Sequence, residues 1–233
     1  MKRKFVALLM IAIMALTVAT FAVTVTQASA APTDLTESKT PQIDQIQIGR
    51  PMVWSPWLYD YHRTWGQKFP DSGPSDFTGI SQGGMLATTE TAVPDTSASA
   101  YSGAELGVKF HLKGVTTLDQ DKALWSKPVT ITALVTYKFT GSGSGDTYND
   151  LRLRGGFPGP GYAVSKSSSG TTYTITKTVL LKYSATWHLI RDGTSPGNGF
   201  IYVSAVSQAV GGTGSPTYAS TVVTVHALGL TWQ

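Results

Sequence analysis

From Val129 to Thr140 the chain alternates almost without a break. Val129, Ile131, Ala133, Val135, Tyr137 and Phe139 fall on one side, Thr130, Thr132, Thr136, Lys138 and Thr140 on the other, and Leu134 is the exception. Successive side chains of an extended strand point to opposite faces, so this period of two writes one apolar face and one wetted face. The pattern recurs. Leu106, Val108, Phe110 and Leu112 alternate with Gly107, Lys109, His111 and Lys113, while Tyr173, Ile175, Val179, Leu181 and Tyr183 share a face. Residues 199–209 and 219–232 supply two further strands, and 84–92, 149–154 and 186–191 shorter ones. Between them lie turn sequences at 141–146, 167–170, 192–199 and 211–217, rich in the Gly, Asn, Asp and Ser that chain reversals need. After the N-terminal apolar stretch, only 117–125 carries a short helical pattern.

Strands with a single apolar face must cover a core on one side and meet water on the other, which two sheets packed face to face achieve. The expected fold is therefore all-β: an antiparallel β-sandwich, jelly-roll or immunoglobulin-like, of roughly eight to nine strands. A small outer-membrane barrel alternates as well, with its apolar face toward lipid. Here the apolar faces mix small and large residues without an aromatic girdle, and the Pro-rich segment 41–75 suits no transmembrane hairpin.

The N-terminus reads as an address. Lys2, Arg3 and Lys4 precede an apolar run from Phe5 to Val25, and Ala28-Ser29-Ala30 closes it. A charged start, an apolar stretch and a small-x-small exit make a secretory signal peptide over 1–30, cleaved after Ala30, and a secreted or extracellular product. An uncleaved membrane anchor is the rival reading of so long a run. Residues 31–45 form a flexible lead-in, 46–233 a single sandwich domain, and no membrane span follows the cleavage site.

The chain has no cysteine, which excludes a disulfide framework, a thiolate metal site and a thiol nucleophile. Its pI of about 9.2 overstates its basicity. Three of its 18 Lys and Arg lie before residue 31, and all 14 acids lie after it. With no basic run, nucleic acid is not an expected partner.

Catalytic constellations are sparse. His62, His111, His188 and His226 are far apart and lack metal-ligand spacing. The glutamates number three, Glu37, Glu90 and Glu105, and the sequence does not choose a partner carboxylate for any of them. Calcium is the one ion the composition suggests. Asp146, Asn149 and Asp150 cluster between strands, with Asp119 and Asp121 in a second group, and such oxygens are calcium ligands as well as ordinary turn residues.

The segment from Trp54 to Phe69 stands out. It holds Trp54, Trp57, Tyr59, Tyr61, Trp65 and Phe69, with Arg63 and Gln67 among them. If 57–65 is extended, Trp57, Tyr59, Tyr61, Arg63 and Trp65 form a row on one side. Trp54, Trp57, Tyr59, Tyr61, Arg63, Trp65 and Gln67 are the candidate ligand-binding residues, since rings with polar tips can stack on sugars while Arg63 or Gln67 bonds hydroxyls. The competing placement packs the row into the core as the inner face of the first strand, against which Arg63 in mid-row counts.

Three functions follow in order. The first is a non-catalytic extracellular module binding carbohydrate or a cell-envelope component. The second is a structural protein assembling by strand addition. The third is a glycoside hydrolase or esterase whose catalytic residues the sequence does not reveal.

Overall fold

A computed structural model describes residues 48, 52–54, 59, 61–69, 84–90, 98–156, 161–193 and 195–232, with the side chains of 62, 64, 66–69, 86 and 88–90 excluded. The signal-peptide and lead-in segments lie outside these residues. Ten strands are present among them. They are β1 (Met52–Trp54), β2 (Tyr61–Phe69), β3 (Gly84–Glu90), β4 (Ser99–His111), β5 (Pro128–Ser142), β6 (Asp146–Gly155), β7 (Gly161–Ser169), β8 (Tyr173–Thr186), β9 (Asn198–Val210) and β10 (Tyr218–Trp232).

All pairings are antiparallel, and the strands form two five-stranded sheets. In the first, the order is β1-β10-β5-β8, with β3 pairing β10 beyond β1; in the second it is β2-β4-β9-β6-β7. The sandwich expected from the alternation is the observed fold, with the two sheets separate rather than closed into a barrel.

The alternation of β5 faces inward as its sequence dictates. Val129, Ile131, Ala133, Val135, Tyr137 and Phe139 all belong to the buried core, where they meet Leu106, Val108, Phe110, Leu151, Leu153, Ile201 and Val203 of the second sheet. Leu134 departs from the alternation and sits on the outer face, paired with Leu180 and Ala227. The register between β5 and β10 slips between Val225 and Ala227, so His226 is an extra residue. Its Nε2 lies 2.8 Å from Thr136 Oγ1 on the outer surface.

Two short helices close one end. In α1 (Leu118–Leu124), the Thr117 hydroxyl accepts from the Gln120 N–H while Gln120 Oε1 accepts from the Thr117 N–H, a reciprocal cap that stops the orphan amides of the first turn from going unpaired. The second, α2 (Trp187–Ile190), replaces the strand expected over 186–191. The reason is tertiary. Trp187 and Ile190 are buried, and the Trp187 indole N–H donates to Asp121 Oδ1 at 2.8 Å.

Asp121 is buried and fully occupied. Its Oδ1 also accepts from Gly197 N–H, its Oδ2 accepts from the Trp125 indole at 3.2 Å, and Arg191 Nε lies 2.9 Å from Oδ2 as an ion pair. Burial alone would push the carboxyl up, but the Trp187, Trp125 and Gly197 donors and the Arg191 charge outweigh it and hold it below its ordinary value.

Asn149 knits the sheets together in the same way. Its side-chain amide donates to Thr140 O at 2.9 Å and to Tyr173 OH at 2.8 Å, and its Oδ1 accepts from the Thr221 hydroxyl at 2.9 Å, with Ser207 Oγ 3.0 Å away.

Candidate binding face

Residues paired directly across antiparallel strands share a face, so the register of the second sheet writes out its outer surface as rungs. Tyr61, Gly107, Tyr202 and Arg154 form one rung, followed by Arg63, Glu105, Ser204 and Arg152. Next come Trp65, Gly103, Val206 and Asp150, and then Gln67, Tyr101, Gln208 and Tyr148. Lys109 and Phe200 pair just above the first rung. The intervening residues Ala104, Leu106, Val108, Leu151, Leu153, Ile201, Val203 and Ala205 lie in the core, which fixes the rungs as the outward face.

An outward face of a surface sheet is ordinarily polar and wet. This one also carries buried aromatic rings among its polar groups. Phe200 and Tyr202 are buried and stacked, their ring centroids 4.7 Å apart and their planes 15° from parallel. Tyr61 meets Phe200 edge-on at 4.4 Å. The Tyr61 hydroxyl donates to Glu105 Oε2 at 2.9 Å. Burial first, and then the Glu105 carboxylate, push the Tyr61 phenol up to about 12, so it remains a donor at any physiological pH. Lys109 Nζ stands 5.6 Å from the Tyr61 ring centroid.

Trp65 is seated by an absence. A Cβ on Gly103, its cross-strand partner, would overlap the six-membered part of the indole, so glycine there lets the ring lie across β4. The indole is half-buried, and the exposed Arg63 guanidinium lies 5.6 Å from its centroid.

The charged groups on this face are layered. Glu105 and Asp150 are only 7% and 1% exposed, whereas the Arg152 side chain is 38% exposed. Arg152 Nε pairs with Asp150 Oδ2, and Arg152 also bonds Tyr148; these partners keep its guanidinium firmly protonated although burial by itself opposes the charge. Arg154 bonds the Tyr202 hydroxyl, whose own pKa burial raises. Asp150 Oδ1 is buried and has no hydrogen-bond partner. At the lower end of the face, Asp146, Tyr148, Ser167, Ser169, Gln208 and Val210 line an open cavity of about 400 Å³.

The sequence-derived row is thus divided. Tyr61, Arg63 and Trp65 share this face on β2, and Gln67 holds the next position in the same register, its side chain outside the described ones. Trp54 does not join them. It is 0% exposed on β1 in the other sheet, stacked on Phe110 in the core. Tyr59 packs against the core, and burial raises its phenol pKa strongly. Trp57 lies outside the described residues.

The calcium grouping needs correction. Asp146, Asn149 and Asp150 belong to strand β6 rather than to a loop, so neighbours diverge: Asn149 enters the core network and Asp150 the outward face, with Asp146 at the strand's end. Among the described residues, no group of three or more His, Cys, Asp or Glu converges as a metal site.

Sequence reasoning passed over Glu105, Asp150, Arg152, Arg154, Phe200 and Tyr202 as a set. A signal was present. In Tyr148-x-Asp150-x-Arg152-x-Arg154 the polar positions are charged or aromatic, and 200–203 (Phe-Ile-Tyr-Val) is apolar or aromatic at both phases, as expected of a strand covered on both sides.

No family model matches the chain, and no curated protein matches it. Among solved structures, a CBM4 structure aligns at 16% identity over 72% of this chain and 94% of its own, with a TM-score of 0.27. The N-terminal cellulose-binding domain of Cellulomonas fimi β-1,4-glucanase C aligns at 14% identity over 70% and 87%, also at 0.27. The family 11 carbohydrate-binding module of the Clostridium thermocellum cellulase Lic26A-Cel5E aligns at 9% over 74% and 88%, at 0.22. Scores at this level leave the sandwich resting on its own strand pairing.

Proposed function

We propose that this protein is an exported carbohydrate-binding module whose binding surface is the outer face of the second sheet. The observation that carries the reading is the seating of Trp65 across Gly103, beside two buried carboxylates and above an open cavity on the same face. An aromatic ring lying along a sheet offers an apolar platform for the C–H side of a sugar. The carboxylates and guanidiniums around it are hydrogen-bonding groups held in fixed positions, as recognition of hydroxyls requires. Export rests on the N-terminal segment, and no helix among the described residues is long and apolar enough to cross a membrane.

Affinity electrophoresis through gels containing a panel of neutral and acidic polysaccharides tests the reading. At least one polysaccharide should retard the protein. Trp65→Ala should then cost about 2 kcal/mol, roughly thirtyfold in affinity, with an unchanged circular dichroism spectrum. Equal retardation of the variant and the parent would reject this face.

Glu105 and Asp150 also bear on hydrolysis, since a glycosidase needs two carboxyl groups across the scissile bond. Both are buried, and each already holds a neighbouring side chain, Glu105 the Tyr61 hydroxyl and Asp150 the Arg152 guanidinium, so neither carboxyl is poised beside a scissile bond. Binding without release of reducing ends is the expected outcome.

A further inference from the structure

Building on that reading, we infer that the ligand is an acidic glycan, a sugar chain carrying carboxylate or sulfate groups. The inference comes from which charges the face offers to a partner. Three guanidiniums, Arg63, Arg152 and Arg154, lie within the upper rungs; Arg63 is exposed, and Arg152 and Arg154 partly so. The two carboxylates among them are buried, with Glu105 engaged by the Tyr61 hydroxyl and Asp150 by Arg152 through Oδ2 alone. A partner therefore meets cationic groups first. Asp150 beneath orients the Arg152 guanidinium, and a guanidinium carries five N–H donors, some of which remain for an arriving anion.

A second requirement narrows the class. Asp150 Oδ1 is buried without a hydrogen-bond partner, an expensive state that a donor from the ligand would relieve. The same ligand must therefore bring an anion to the guanidiniums and a hydroxyl to a carboxylate one rung away. The platform at Trp65 asks for an apolar ring face next to both. A polyhydroxylated ring with an anionic substituent satisfies all three demands.

Single-stranded nucleic acid also combines anions with stackable rings. It favours a basic groove that tracks a continuous phosphate backbone. Here the cations alternate with carboxylates over two rungs, and a third carboxylate, Asp146, lines the cavity at the lower end. That interruption suits an isolated anionic group on a sugar and opposes a phosphate track.

The test compares glycans that differ only in charge, using the full chain. Polygalacturonate and its methyl ester form one pair, and dextran sulfate and dextran the other. Titration calorimetry should give at least about tenfold tighter binding to one charged member than to its neutral counterpart, weakening as salt rises. The first pair winning identifies carboxylate as the anion, the second sulfate. Arg63→Gln, at an exposed position where folding is not at stake, should reduce the preference severalfold while leaving the melting temperature unchanged.

Equal affinity within both pairs, with binding still lost in Trp65→Ala, would overturn the acidic-ligand inference and leave the carbohydrate face standing. No binding to any glycan in either pair or in the wider panel would overturn both. Oligo(dT) binding as tightly as the charged glycan would overturn the inference in favour of a general polyanion site.

Discussion

At the scale of single residues, two positions concentrate structural consequence. Asp121 is a buried carboxylate held by two indoles, a backbone amide and Arg191. Its folded pKa lies below the ordinary 3.8, so its contribution to stability is fully present above about that value. As pH falls the unfolded chain takes up the proton first, and the contribution is lost as pH drops through the depressed folded value. Asp121→Asn should cost about 3–5 kcal/mol at pH 7, because it leaves Arg191 buried against a neutral amide. Urea melts between pH 7 and pH 3 should show a steeper acid loss in the parent than in the variant. Gly103 matters for a steric reason. Gly103→Ala would drive a methyl into the Trp65 indole, at about 1–3 kcal/mol in stability. It should also weaken polysaccharide retardation under conditions where the variant is folded, since the platform can no longer lie flat.

At the scale of elements, the outermost strands decide between binding and assembly. Among the described residues the strand β8 pairs only with β5, which leaves its other edge without a strand neighbour there. It also carries Lys177 at a position in register with Tyr137, on the side of the strand that otherwise holds Ile175, Val179 and Leu181. An inward-register lysine on an edge strand penalises edge-to-edge pairing, because an added sheet would have to desolvate it. This favours a module that stays separate over one that polymerises. Lys177→Ile should raise concentration-dependent association, read by light scattering after size exclusion, while the parent elutes as a monomer. Polymerisation of the parent at micromolar concentration would restore strand addition as the function. The helices make a related point. The pattern at 117–125 predicted α1, whereas α2 was invisible locally because its Trp187 is held by Asp121, 66 positions away.

At the scale of the whole molecule, the N-terminal segment makes its own prediction. A culture expressing the full chain should release a product whose N-terminal sequencing begins at Ala31, and a retained full-length product would support the anchor instead. The sandwich itself was legible from the sequence because period-two alternation is a local property: the choice of inward face on β5, β8 and β10 is written residue by residue. The candidate site was legible only in part. Tyr61, Arg63 and Trp65 share a strand, so their common face followed from spacing alone. Glu105, Arg152, Asp150 and Tyr202 come from three other strands, and their meeting depends on register and strand order, which no local pattern encodes. Spacing likewise gathered Asp146, Asn149 and Asp150 into one cluster, which the pleat of β6 divides between the core network and the outward face. Sequence by itself determined that this chain builds two-faced strands and where a ring-rich one begins. Only the tertiary structure decided which faces look out together, because strand pairing brings residues far apart in the chain to within a few ångströms of one another.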